Sequence, residues 1–170
     1  MRPILSALAF ALLVSGSLCL PAPASAAGPA TIPAFSLPDL EGKTHGPEEW
    51  KGKVVVVDFW ATWCVACRET IPVLRRLTEK YGDKGLVVVG VTLDKGPKEK
   101  VAKFVRKMKM DYQILWDADD TLSKPFGFEG LPSLYVFGRD GALLKGMPQY
   151  TGAQEKEMEA LIEAQFPSAR

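Results

Sequence analysis

The chain has 170 residues, 47% of them hydrophobic and 24% charged, with 21 basic residues against 20 acidic ones. That length supports one domain with a proper core. The balanced charge argues against a nucleic-acid or anionic-lipid partner, and there is no internal repeat or heptad pattern.

The first 26 residues read as a leader. They carry one charge, Arg2, then an apolar stretch from Ile4 to Leu20, the break Pro21-Ala22-Pro23 and the small-residue pattern Ala24-Ser25-Ala26. This predicts a secretory signal peptide cleaved after Ala26 and an exported protein, in the periplasm or on the outer face of the cytoplasmic membrane. An uncleaved anchor is the alternative, but the apolar run falls short of the ~20 residues of a spanning helix and includes Ser and Gly. Cys19 lies inside the leader after Leu18, where a lipidation signal would need a small residue. A linker over residues 27–34, one domain over 35–166 and a tail over 167–170 follow.

Within the domain, Phe35 to Leu37 and Gly42 to His45 suggest a small hairpin. Val54 to Trp60 is apolar on both faces except at Asp58, the pattern of a central strand in a covered sheet. From Val65 to Tyr81 the residues Ile71, Val73, Leu74 and Leu77 recur at helical spacing, with Gly82 at the stop and a kink predicted at Pro72. Leu86 to Val91 is a second buried strand. Pro97 opens a helix to about Met108, with Val101, Phe104, Val105 and Met108 on one face and lysines on the other. Ile114 to Trp116 is a short strand, and Asp119 to Pro125 a short helix. Ser133 to Phe137 and Ala142 to Lys145 form a hairpin about Gly138-Arg139-Asp140-Gly141. A last amphipathic helix runs from about Ala153 to Phe166. This order predicts an α/β class, three-layer α/β/α sandwich.

Chemistry concentrates in Cys64-Val65-Ala66-Cys67, between the apolar strand and the first helix. The first amides of a helix lack intrahelical partners and carry the positive end of its dipole, so they stabilise a thiolate there. A thiolate attacks disulfides, and a second thiol one turn on can resolve the mixed disulfide. Once the leader and Cys19 are removed, these two cysteines are the only ones left. A bridge across so short a loop restrains the unfolded chain little, so the pair is better explained by thiol–disulfide exchange than by structure. Asp58 would lose hydration in its apolar strand, which raises its pKa and suits it to exchange a proton with Cys67 through a water. The alternative is a solvent-facing aspartate at a strand end.

The run Val57-Asp58-Phe59-Trp60-Ala61-Thr62-Trp63-Cys64-x-x-Cys67 and the later Gly130-Leu131-Pro132-Ser133-Leu134-Tyr135-Val136-Phe137 resemble the two active-site segments of the thioredoxin-like superfamily. The leader, the hairpin ending in Trp50-Lys51-Gly52-Lys53, and the extra helix and strand from about Pro97 to Trp116 narrow the resemblance to its exported TlpA-like branch, which includes the cytochrome c maturation reductases. The resemblance spans about Phe35 to Phe166. It implies that Cys64 is the exposed nucleophile and Cys67 the buried resolving thiol of a redox-active disulfide. It also implies a cis Pro132 that presents the Leu131 backbone to a substrate strand, with Trp63 exposed beside Cys64. No cofactor is required. The implied partners are disulfide-containing client proteins, apocytochrome c among them, and a membrane-linked reducing partner; the expected state is a monomer.

Two departures qualify this. TlpA-like proteins commonly keep Asn where Asp58 stands, and Glu three residues after the second cysteine, where this chain has Thr70 with Glu69 one place earlier. That weakens apocytochrome c as the client. Val65-Ala66 adds no histidine or charge to stabilise the Cys64 thiolate, which favours a reductase or mild exchanger over a strong oxidant. Two rival readings follow from the same thiols. A peroxiredoxin-type peroxidase needs a threonine three places before its cysteine, where Ala61 stands, and a proline ahead of it, which the run from Lys51 to Thr70 lacks. Copper delivery would use Cys thiolates with Met108 or Met110, but His45 is far upstream and Met108 falls on an apolar helix face. Trp60 and Trp63 are expected to flank the site, Trp50 and Trp116 to pack, Glu129 to be a solvated loop residue and Lys95 to Lys109 to be a solvated helix face.

Overall fold

The computed structural model describes residues 28–166; the expected leader and the tail lie outside them. A two-stranded hairpin, β1 (Leu37–Pro38) and β2 (Thr44–His45), precedes the central strand β3 (Val54–Trp60). Then come α1 (Cys67–Tyr81), β4 (Leu86–Thr92), α2 (Lys98–Met108), β5 (Gln113–Trp116) and α3 (Ser123–Phe126). The pair β6 (Ser133–Phe137) and β7 (Leu143–Met147) and the helix α4 (Glu155–Glu163) complete the chain.

Five strands form one sheet in the order β5-β4-β3-β6-β7. The β3–β4 and β4–β5 pairs are parallel, and β3–β6 and β6–β7 antiparallel. All seven residues of β3 are buried, because the strand is central and both its faces are covered. Alternation splits them into two cores. Val55, Val57 and Phe59 pack with Phe126, Phe128, Tyr135, Phe137 and Trp50 on one face. Val54 and Val56 pack with Leu74, Leu77 and Tyr81 of α1 and with Met158 and Ile162 of α4 on the other. At the far end of that second face Trp60 meets Ile71 of α1 and Val101 of α2.

Local physics adjusted several expected boundaries. The short helix before β6 begins at Ser123 instead of Asp119. The Asp117 carboxylate accepts from the Thr121 N–H (2.9 Å) and the Leu122 N–H (3.0 Å), which makes the preceding residues a side-chain-closed turn. The last helix is shorter than expected; a 3-10 turn at Gly152–Gln154, with a Thr151–Gln154 capping box, leads into it. Helix α1 continues through Pro72, whose missing N–H leaves the Arg68 carbonyl without its helical donor. In the segment expected to be a linker, the Ala30 carbonyl accepts from the Leu143 N–H (2.9 Å), and the Ile32 N–H donates to the Gly141 carbonyl (3.2 Å). Residues 30–32 therefore line the edge of β7.

Candidate active site

Strand β3 ends at Trp60, and the loop after it holds the dithiol against the start of α1. Cys64 and Cys67 are joined by a disulfide with an S–S distance of 2.06 Å and a Cα–Cα distance of 5.4 Å. The Cys67 N–H donates to Cys64 Sγ at 3.1 Å, so the first amide of α1 points at the sulfur of the earlier cysteine. Cys64 retains 7% of its surface and Cys67 1%. Both are covered in the disulfide form, unlike the exposed Cys64 expected from resemblance, and it is Trp63 (65% exposed) and Val65 (72%) that project from the loop on either side. Trp60 does not flank the opening. It is buried behind the loop and stacks on Phe104 of α2, ring centroids 5.5 Å apart.

Beside Cys64 opens a groove of about 620 Å³ lined by Trp63, Leu93, Phe128, Glu129, Gly130 and Leu131 among others. The Leu131–Pro132 peptide bond is cis. The Pro132 carbonyl accepts from the Tyr150 N–H at 2.8 Å, and Ser133 Oγ donates to the Gly130 carbonyl at 2.7 Å, so both ends of this segment are tied down. Glu129 is exposed at the groove's rim.

Asp58 faces the α1 side of the sheet, between Val56 and Trp60. It is 1% exposed, and neither carboxylate oxygen has a hydrogen-bond partner among the described residues. Burial pushes its pKa up to about 8. Its neighbour in β4 is Gly90. A Cβ at Gly90 would lie 2.9 Å from Trp60 Nε1 and 3.1 Å from Tyr112 Cε2, so no larger residue fits and the two rings close over this spot. Trp60 Nε1 and the Tyr112 hydroxyl are also buried and unpartnered among the described residues. Unsatisfied polar atoms gathered in this way mark a place where ordered water can sit.

Thr70 is buried, and its hydroxyl donates to the Cys67 carbonyl at 2.8 Å; Glu69 is exposed. His45 lies in the β1–β2 hairpin, held by Glu49 (2.9 Å) and Asp39 (3.0 Å). Met110 is buried in the cluster that contains both cysteines, and Met108 packs against it.

Asp94, just beyond β4, was not singled out from the sequence. Its carboxylate accepts from the Thr62 N–H (2.8 Å), the Thr62 hydroxyl (2.6 Å) and the Thr92 hydroxyl (2.7 Å), which ties the cysteine loop to the neighbouring strand. The Trp116 indole N–H donates to the Asp94 carbonyl at 2.6 Å. An acid directly after an apolar strand was the available signal, but its pairing with Thr62 depends on the sheet register.

A five-stranded mixed sheet with a cysteine pair at the start of the helix after its central strand defines a thioredoxin-like protein of dithiol chemistry. The chain belongs to the AhpC/TSA family, whose model matches residues 30–145. It is 32% identical over 127 residues to the thiol-disulfide oxidoreductase ResA of Geobacillus thermodenitrificans, covering 75% of this chain and 71% of that protein. A Chlorobium tepidum structure described as a thiol:disulfide interchange protein DsbE superposes with a TM-score of 0.76 at 28% identity, covering 83% of this chain and 99% of that one. The thioredoxin domain of a thiol-disulfide oxidoreductase from Bacteroides vulgatus gives a TM-score of 0.71 at 25% identity, covering 81% and 99%. The protein is a thiol–disulfide oxidoreductase.

Proposed function

We propose that this protein is an exported reductase of protein disulfides, with Cys64 as nucleophile and Cys67 as resolving thiol. The observation that carries the reading is the Cys67 amide aimed at Cys64 Sγ, on the side of the pair that opens to the groove. In the reduced protein that amide would stabilise a Cys64 thiolate. The thiolate attacks one sulfur of a client disulfide, forms a Cys64–client bond and expels the other client sulfur as a thiolate. Cys67, giving its proton through a water to the ionised Asp58 carboxylate, then attacks Cys64 Sγ. This closes the Cys64–Cys67 disulfide and frees the second client sulfur. Two electrons and two protons pass to the client. A dithiol reductant, held at the membrane, must return them.

The client chain would lie extended in the groove against Leu131, Pro132 and Trp63, pairing with the Leu131 backbone as an added strand. The leader through Ala26 would deliver the protein outside the cytoplasm as a monomer. Apocytochrome c is one client to try, with the buried Thr70 standing where the cytochrome-maturation branch keeps a glutamate.

Two measurements test the reading. Cys67→Ser should accumulate clients as mixed disulfides on Cys64, identifiable by mass spectrometry, whereas Cys64→Ser should trap none. Equilibration with glutathione buffers should give a potential near thioredoxin's, about −270 mV. A value near that of DsbA, about −120 mV, would make the protein an oxidant and overturn the reductase assignment.

A further inference from the structure

The chain's near-zero net charge hides a segregation. Between residues 95 and 109 there are six lysines and one arginine against a single acid, Glu99, so the remainder of the chain is net negative. This segment contains α2, whose Val101 is buried against Trp60 and Ile71. Packing fixes the rotation of the helix, and Lys100, Lys103 and Lys107 are exposed as a result. They share a second concavity, of about 250 Å³, with Thr62, Trp63 and Phe104. Its floor is aromatic, and its wall is the exposed indole one residue before Cys64. Arg68, from the first turn of α1, adds a further cation 5.9 Å from the Phe104 ring centroid.

Several cations elsewhere in the fold are neutralised by acids. Arg76 and Lys80 on α1 pair with Glu155 and Glu159 of α4, and Lys145 pairs with Glu157. Lys100, Lys103 and Lys107 enter no ion pair among the described residues. What sets these three lysines apart is their placement together around an aromatic floor beside the cysteine loop. A group of unpaired cations there raises the local concentration of an anionic partner and sets its orientation before the sulfurs meet.

We propose that this α2 face is a docking surface for an acidic segment of a redox partner protein, which lies beside the partner's reacting cysteine. Aspartates or glutamates of that segment engage Lys100, Lys103 and Lys107, and one of its apolar residues rests on Phe104 and Trp63. The segment is distinct from the strand proposed for the Leu131 groove, which lies on the other side of Trp63. The assignment rests on Cys64 being the attacking thiol, so its test reads docking and exchange separately.

Three synthetic peptides, each with a single cysteine flanked by glutamates, by serines or by lysines, are prepared as mixed disulfides with thionitrobenzoate and offered to the reduced protein. Release of thionitrobenzoate reads exchange. Serine-for-cysteine versions of the same peptides, titrated against tryptophan fluorescence, read docking alone. The glutamate peptide is expected to react and to bind roughly tenfold or more better than the serine peptide at low ionic strength. The lysine peptide should do worse than both. The advantage should collapse at ~0.5 M salt in the wild-type protein, which needs no variant, and again in the K100E/K103E/K107E protein.

A glutamate peptide no better than the serine peptide in the binding titration overturns the surface. So does an advantage indifferent to both salt and charge reversal, or a loss shared equally by the two peptides. Preferential binding to phosphatidylglycerol vesicles, with no preference among peptides, assigns the lysines to a membrane and also overturns it. Binding that shows the preference while Cys64 fails to exchange sinks the reductase reading and leaves the surface standing.

Discussion

Asp58 and Asp94 are both buried aspartates near the cysteine loop, and their partners set them apart. Asp94 has three donors on its carboxylate, so its oxygens are satisfied and it anchors Thr62. Asp94→Ala would leave the Thr62 N–H and two hydroxyls without an acceptor in a closed space, at a cost of about 2–4 kcal/mol. Urea denaturation should show that loss; a change within ~0.5 kcal/mol would mean that water replaces the carboxylate without penalty. Asp58 has no donor and is held near neutrality by burial, with a pKa of about 8. Around neutral pH it is therefore mostly protonated yet able to take and return a proton. Asp58→Asn removes that capacity and keeps the shape. Resolution of the Cys64–client bond by Cys67 should slow on the order of 10²-fold near pH 7, and the rate should lose its inflection near Asp58's pKa. Stopped-flow resolution of a preformed mixed disulfide across pH measures this, and an unaltered profile would leave Asp58 a purely structural residue.

The short helix α3 is only four residues long, too short to persist through its own hydrogen bonds. It is held from outside. Asp117 closes the turn before it, Gly127 at φ 71° lets the chain leave it, and Phe126 is fully buried among Phe59, Tyr135 and Phe137. Phe126→Ala should cost about 3–5 kcal/mol in a denaturant titration. Because neighbouring Phe128 lines the groove beside Cys64, the variant should also weaken client exchange more than the reactivity of Cys64 toward a small alkylating agent. Equal losses in both would separate α3 from the groove. This element also shows what the sequence could and could not disclose. Strands β3, β4 and β6 were legible as nearly continuous apolar runs and helices α1 and α2 by their helical hydrophobic period, and the cysteine spacing and Leu131-Pro132 marked the site's position. Helix α3 was displaced because its start depends on an Asp117 side chain, not on periodicity. Asp94 was missed because its meaning arises only when β4 brings it beside Thr62. The covering of Cys64 was likewise invisible, since the cluster around it draws Ile71, Val101 and Leu131 from segments far apart in the chain.

Across the whole molecule, the shifted titrations predict an acid-displaced stability curve. Glu159 is lowered by Lys80 and Arg76, and Asp39 and Glu49 are lowered by His45, so what these carboxylates contribute is present above their ordinary range near 4–4.5 and lost as pH falls through their depressed values. His45 is raised by Glu49 and Asp39, so its contribution is complete below about 6.5 and lost as pH rises through its raised value. Asp58 acts in the same direction with greater weight. The unfolded chain ionises it near 3.8 while the folded protein keeps it protonated to about 8, so the unfolded state binds fewer protons in between and stability falls as pH rises through that window. One proton held by only one of the two states changes stability by about 1.4 kcal/mol per pH unit. The carboxylate contributions are complete above roughly pH 4.5 and that of His45 persists to about 6.5, but the Asp58 penalty already grows across this interval, so stability should peak near its acid end. Urea midpoints of the oxidised protein should therefore be higher at about pH 5.5 than at about pH 8.5, by several kcal/mol in stability. Asp58→Asn should remove most of that decline by gaining stability at the alkaline end, leaving the smaller, solvent-screened part that belongs to His45. A wild-type midpoint that holds or rises toward pH 8.5 would show that the Asp58 carboxylate is hydrated or partnered in solution. A variant that declines as steeply as the wild type would place the alkaline sensitivity elsewhere in the fold.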